Sequence, residues 1–351
     1  MWKQIFRLQK HFKPITAVSI RCDEKVFVTA SKDESVGVYY FDSKDFKYLR
    51  AHSSSVTDVA FSSNGDVFAS TDYEGSIILW SSNNLEKKTK ITQNNKSPIT
   101  GISWSESYEN FVVGFQQSAI IWSINNLEPY FTISNLQGNV RSLQWHDNLI
   151  AIAGDFSNIL IFDYRSGTIV QSFQGKKFNC VSFNNDGTFL AGSEYDKIKI
   201  WDLRNCSNLN TLYEHSDLIT KIGFNPKTND ILSISKNGTS RIWNVFSEEP
   251  MRSFHHKKAV NGFCWYPKSY GFITVGDEKK IRGYKYKFPD EIDFGGEEFM
   301  SSIYQMQRTL GNITKTMKSL DERLILQEER VMRLKDTNLR ITKAYKKSLE
   351  K

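Results

Sequence analysis

Four histidines stand at one repeated register. His11, His52, His215 and His256 each lie four residues ahead of an apolar run, opening at Ile15, Val56, Ile219 and Val260. An imidazole can act as a general base or a metal ligand, so these residues come first as candidates for chemistry. No companions reinforce them. Cys22, Cys180, Cys206 and Cys264 are scattered, with no C-x-x-C and no metal-ligand spacing. The chain contains no G-x-x-x-x-G-K-S/T, no G-x-S-x-G, no H-E-x-x-H and no glycine-rich dinucleotide loop. Neighbouring carboxylates such as Asp290 with Glu291 and Glu297 with Glu298 fall outside any cleft the sequence defines. The residues therefore predict a protein without catalytic, cofactor or metal sites.

A second register explains the histidines. Tyr39, Trp80, Trp122, Phe162, Trp201, Trp243 and Tyr284 recur at spacings of 41, 42, 40, 39, 42 and 41 residues. Each closes a short run that predicts a strand: Val36 to Tyr39, Ile77 to Trp80, Ala119 to Trp122, Ile159 to Phe162, Ile198 to Trp201, Ser240 to Trp243 and Ile281 to Tyr284. Upstream of Trp80, the alternating VTDVAF and the turn Ser63-Asn64-Gly65-Asp66 set a strand-turn-strand rhythm that the other repeats follow. A period near forty residues with one aromatic per period marks a propeller blade. Seven such repeats predict an all-β ring over residues 1–287. The eight tryptophans could stack on bases, but at strand ends with this spacing they are expected in the core.

The repeats resemble the WD-repeat family over residues 1 to about 287. The resemblance implies a hydrogen-bonded tetrad inside each blade, made of a histidine, a Ser or Thr, a turn acid and the aromatic. His11, His52, His215 and His256 fill the histidine position. The turn-acid position, six residues before the aromatic, holds Asp33, Glu74, Gln116, Phe156, Tyr195, Asn237 and Glu278, so only three of seven are acidic. Ring closure is also legible. Gln4 to Leu8 alternates like a strand and precedes His11, whereas no complete outer strand follows Tyr284. The N-terminal strand is expected to supply the outer edge of the last blade and so protect it.

A formal charge of +7 biases the chain toward acidic partners: nucleic acid, a phospholipid surface or the acidic tails of tubulin. No run approaches the roughly 20 apolar residues that span a bilayer, so no membrane insertion is expected. The first residues lack the pattern of a signal peptide, and the scattered cysteines suit a reducing compartment.

The period changes after a linker at 288–299, which contains Pro289 and Gly295-Gly296. Over 300–351, Ile303, Met306, Leu310, Ile313, Met317, Leu320, Leu324, Gln327, Val331, Leu334, Asn338, Ile341 and Tyr345 follow alternate steps of three and four. That seam predicts a C-terminal α-helical coiled coil. A helix of about 48 residues would extend roughly 70 Å, so its apolar stripe calls for a partner helix. Gln327 at d and Asn338 at a would fix register and strand number. Arg323 and Glu328 on the flanks favour a parallel homodimer, with a trimer as the alternative. The basic end (Arg340, Lys343, Lys346, Lys347, Lys351) is either a cationic contact or a solvated helix end.

Residues 310 to 334 resemble the coiled coil of the proteome-of-centriole-one family, whose propeller precedes a short coil. The matching elements are Ile313-Thr314-Lys315-Thr316, Leu320-Asp321-Glu322-Arg323-Leu324, and Glu328-Glu329 leading into Val331. The resemblance implies a non-enzymatic scaffold of centrioles and basal bodies, in the cytoplasm and cytoskeleton. Its expected partners are itself, centriolar proteins and tubulin; neither nucleic acid nor a small-molecule substrate is expected. Two alternatives stay open. One is an RNA-associated scaffold, prompted by the basic balance but lacking an RGG, RRM or KH signature and any basic run interleaved with aromatics. The other is a substrate receptor of cullin ligases, prompted by Trp201-Asp202-Leu203-Arg204 and Phe162-Asp163-Tyr164-Arg165.

Overall fold

The computed structural model describes residues 1–287 except 93–96, 108 and 214. The linker at 288–299 and the heptad seam from Ile303 to Ile341 lie outside the described residues. Residues 1–287 form one compact unit.

That unit is a seven-bladed propeller, each blade a four-stranded antiparallel sheet. Strands are lettered a to d from the inside outward. Blade 1 is Ile15–Ile20, Val26–Ser31, Val36–Tyr40 and Phe46–Leu49, and blade 2 is Val56–Phe61, Val67–Asp72, Ser76–Ser81 and Lys87–Thr92. The later blades open at Gly101, Val140, Cys180, Ile219 and Val260. Blade 7 takes its strand d, Trp2–Leu8, from the N-terminus, with Trp2 opposite Tyr286 and Leu8 opposite Ile281. The closure expected from Gln4 to Leu8 is thus present and two residues longer.

Burial peaks at strand b and falls away toward strand d, and the residue types follow it. Strand b of blades 1, 2, 6 and 7 is buried along its whole length, because a neighbouring blade covers each face. Such strands read as continuous β-branched and apolar runs, without alternation. Strand d is an edge and is largely exposed; in blade 2 it is polar, Lys87–Thr92.

The core is not central; it lies between blades. Seven apolar clusters each join one adjacent pair. Each register aromatic enters a different cluster, against the blade before its own: Trp80 on blade 1, Trp243 on blade 5, and Tyr39 on blade 7. Seven aromatics serve seven junctions, and this is why one per period suffices. In six blades the c–d pairing slips at the aromatic, as between Leu79 and Trp80 or between Gln4 and Phe6 opposite Tyr284. The extra residue at that point lies on strand d, as with Lys88 in blade 2 and Ile5 in blade 7.

A polar girdle links the inner strands around the ring. Phe61 N donates to Ser19 Oγ (3.1 Å), Ile102 N to Asp58 Oδ2 (3.1 Å), and Trp145 N to Ser103 Oγ (2.9 Å). Phe183 N donates to Gln144 Oε1 (2.7 Å) and Phe224 N to Ser182 Oγ (3.2 Å). Thr220 Oγ1 donates to Val260 O (2.7 Å), and Asn261 Nδ2 closes the circle on Ile15 O (3.0 Å). Each bond satisfies a backbone group of an inner strand that its own sheet leaves unpaired on one side.

Candidate interaction face

The histidines occupy the blades as predicted, but their partners differ from blade to blade. In blade 2, Trp80 Nε1 donates to Ser70 Oγ (2.8 Å), and Ser70 Oγ also meets His52 Nε2 (2.7 Å). His52 Nδ1 then meets Asp72 Oδ2 (2.8 Å). The acid is therefore Asp72, two residues before the expected Glu74. Glu74 is exposed and reaches only Ser53 at 3.3 Å. Asp72 wins because it ends strand b and accepts the N–H groups of Glu74 and Ser76, closing the turn around its own carboxylate. Burial alone would raise this carboxyl, but the His52 and backbone hydrogen bonds hold it below the usual range.

Blade 1 keeps the register acid. His11 Nδ1 meets Asp33 (2.9 Å) and Nε2 meets Thr29 (2.8 Å), while Tyr39 replaces the indole. Gly37 makes room, since a Cβ there would stand 2.8 Å from His11 Nε2. Blade 6 is neutral: Trp243 Nε1 and His215 Nε2 share Ser233 Oγ (2.7 and 2.6 Å), and Thr239 replaces the acid at 3.1 Å. Burial, assisted by Arg241, holds His215 down to about 3.

Blade 7 departs furthest. Arg282 donates to His256 Nδ1 and to Glu278, and His256 Nε2 turns to Ser240 of blade 6 (3.0 Å). With Nδ1 accepting, the ring proton sits on Nε2. Burial first, and then Arg282, depress His256 to about 4. Blades 3 to 5 lack the histidine–acid pair among the described residues. Phe156 is buried in the junction between blades 3 and 4, and Phe178 meets Trp201 edge-on at 5.8 Å, much as His215 meets Trp243 at 5.9 Å. Trp122 Nε1, with Val112 in place of the serine, is buried without a partner.

All four histidines thus engage side chains of the blades themselves, and no three His, Cys, Asp or Glu converge as metal ligands among the described residues. The Trp201-Asp202-Leu203-Arg204 end is held by its own turn: Arg204 grips Asp202 at 2.9 and 2.6 Å. In the parallel Phe162 end, Asp163 accepts the backbone N–H of Arg165 at 2.9 Å.

Antiparallel pairing sorts the loops. The d–a and b–c loops emerge on one face, the a–b and c–d loops on the other. Among the described residues, carboxylates outnumber cations on the second face, with Glu106, Glu109, Glu128, Glu248 and Glu249 among them. The balance reverses on the first. There Lys10 and Lys13 lie in the loop entering blade 1, Lys32 in its b–c loop, Lys236 in the b–c loop of blade 6, Lys257 and Lys258 in the loop entering blade 7, and Lys279 and Lys280 in its b–c loop. Eight lysines thus crowd three consecutive blades.

Hydrogen bonds stitch these loops together. His256 N donates to Gly238 O (2.8 Å), Asp277 N to Ala259 O (3.0 Å), and Lys32 N to Pro14 O (3.0 Å). Gly238, at a φ of 83°, permits the first of these, since a Cβ there would stand 2.6 Å from His256 O. Sequence reasoning missed the sector because no two adjacent loops of it are contiguous in the chain. Its only linear signal was the overall positive charge.

Comparison with known proteins agrees with this geometry. Residues 6–180 match the family model described as Vps42 beta-propeller, and residues 167–202 and 206–244 match the WD domain, G-beta repeat. The chain is similar to a ribosome biogenesis protein WDR12 homolog of Oryza sativa subsp. japonica, 24% identical over 271 residues, covering 72% of this chain and 59% of the relative. It is also similar to a WD repeat-containing protein 91 homolog of Dictyostelium discoideum, 24% identical over 235 residues, or 62% of this chain and 30% of the relative. An 88-residue stretch is 33% identical to periodic tryptophan protein 2 of Arabidopsis thaliana, covering 24% of this chain and 10% of that protein. The chain spans from a tenth to about three fifths of the length of these relatives. Seven four-stranded blades, a shared serine between histidine and tryptophan, and these matches together make the chain a WD40-repeat β-propeller protein.

Proposed function

We propose that this protein is a non-catalytic scaffold of a ribonucleoprotein assembly, with the propeller as its docking platform. The observation that carries this reading is the similarity over 72% of the chain to a relative named for ribosome biogenesis. The lysine-rich loop face supports it, because an assembly built on RNA presents a polyanionic surface. WD40 propellers are in general scaffolds, and the blade histidines here are engaged structurally, so the reading needs no catalytic step. The heptad seam over 300–351 would dimerise the platform, and two propellers on one coil would gain avidity for a repetitive partner.

A second reading rests on one specific observation, the resemblance of residues 310–334 to the centriolar family. Under it the same scaffold belongs to basal bodies, and supports cilium assembly on a microtubule wall. Imaging the tagged chain against nucleolar and basal-body markers, with sedimentation of lysates beside ribosomal precursor particles, separates the two. The first reading expects co-sedimentation with the particles and no basal-body signal. Basal-body localisation lost on deletion of residues 300–351 would replace it with the second. A deletion that changes neither localisation nor oligomeric state would remove the coil from both.

A further inference from the structure

We infer that the d–a and b–c loop face of blades 6, 7 and 1 is a binding site for single-stranded RNA. The inference rests on the ribonucleoprotein reading and names the surface that would make the contact directly.

Charge is the first argument. Lys10, Lys13, Lys32, Lys236, Lys257 and Lys258 are all exposed. The nearby carboxylates are largely occupied within the fold: Asp33 by His11, Ser35 and the N–H of Phe12, Asp277 by Asn261, and Glu278 by Arg282 and the N–H of Lys257. Glu34 is the one carboxylate of these loops that is exposed, among the described residues. The surface field is therefore positive, and the loop stitching keeps the lysines on one continuous sector. Leu8 pairs with Ile281 at the end of both strands, so the loop that carries Lys10 leaves blade 7 at the same edge as the b–c loop of that blade and joins blade 7 to blade 1.

The aromatic groups decide which polyanion fits. Phe12, between Lys10 and Lys13, is 68% exposed, the most exposed phenylalanine among the described residues. Its ring lies nearly parallel to Tyr48, 6.5 Å away at 21°. Arg50 sits over the other ring of the pair, 5.9 Å from the Tyr48 centroid. Tyr48 is fixed by a hydrogen bond to Lys10 O. A cation, two rings and flanking lysines form a platform on which an unpaired base stacks while its phosphates meet ammonium groups. A duplex hides its base faces, and a run of Asp and Glu has no ring to stack. The loop Gln9 to Lys13 and the end of strand Phe46–Leu49, with Arg50 just beyond it, bring together what the linear sequence lacks, a basic patch interleaved with aromatics.

The test is fluorescence anisotropy of the purified full chain with a labelled 20-nucleotide single-stranded RNA, over a salt series. Matched single-stranded DNA, duplex RNA and poly-glutamate serve as competitors. The triple variant Lys236→Glu, Lys257→Glu, Lys258→Glu should bind at least tenfold more weakly, with a salt slope reduced by about two. Phe12→Ala should weaken binding about tenfold with the slope unchanged. Lys25→Glu with Lys44→Glu, on the opposite face, should bind as the parent does, and melting curves report whether each variant is folded. Equal binding by folded triple variant and parent would overturn the site. So would an unaffected Phe12→Ala with poly-glutamate displacing the RNA, which would mark an acidic-protein surface. Failure to bind RNA while the chain still sediments with ribosomal precursors would overturn this inference and leave the scaffold reading standing. RNA binding without such sedimentation would support the site and remove that reading.

Discussion

His52 Nδ1 stands 2.8 Å from Asp72 Oδ2, and neither side chain is exposed to solvent. An ion pair or hydrogen bond so enclosed loses far more when one partner is removed than an exposed one does. Asp72→Ala should therefore lower stability by about 3 kcal/mol. Glu74→Ala should stay within about 0.5 kcal/mol, because its side chain is exposed and only a 3.3 Å contact to Ser53 is lost. Denaturant midpoints of the two variants check the assignment. A larger loss at Glu74 than at Asp72 would restore the register acid.

Two tryptophans at the same register should respond differently to one substitution. Trp243→Phe removes an indole N–H that donates to Ser233 at 2.7 Å. Trp122→Phe removes a buried N–H that has no partner. An orphaned buried donor costs about 1–3 kcal/mol of desolvation, which phenylalanine avoids. Both variants lose ring volume, so the comparison isolates the hydrogen bond. Thermal melts should show Trp243→Phe as the less stable of the pair.

Closure of the ring concentrates on one side chain. Trp2 packs edge-on against Phe254 (5.8 Å) and Tyr286 (5.7 Å) and tilts over Phe272 (5.4 Å). It is half-buried, so Trp2→Ala should cost about 2–3 kcal/mol, below the full range for a core aromatic. Removing residues 1–8 should do more, because it bares strand Ile281–Tyr286 as an unpaired edge. Light scattering during a melt should then rise well before unfolding of the parent.

Acid should destabilise the propeller in two stages. Folded His215 and His256 titrate near 3 and 4, against 6.5 for an ordinary histidine. Between those limits the unfolded chain holds protons that the folded chain does not. Their contribution is complete above pH 6.5 and is lost as the pH falls toward 4 and 3. Asp33 and Asp72 lie below the usual 3.8, so their contribution is present above that value and is lost at still lower pH. The melting temperature should be flat above pH 7 and decline below 6.5. His215→Gln should shrink the first decline and leave the second.

Much of this was legible without coordinates. Tyr39 to Tyr284 recur because each junction needs one large ring, and the period of the chain is the period of the ring. Gln4 to Leu8 could be paired with the last blade because a strand pattern at one end matched a missing strand at the other. Sequence by itself also determined where the four histidines sit, since each precedes an inner strand by a fixed number of residues. What those histidines touch was another matter. Asp72 displaced Glu74 because turn hydrogen bonds favour the residue ending strand b, a choice made over ångströms and not over positions. Arg282 took His256 because a long cationic side chain, two residues before the aromatic, reached it first. The bulges, the girdle from Ser19 to Asn261 and the lysine sector were decided only in the tertiary structure. Their members lie about forty residues apart or at opposite ends of the unit, and they become neighbours only when antiparallel blades close into a circle.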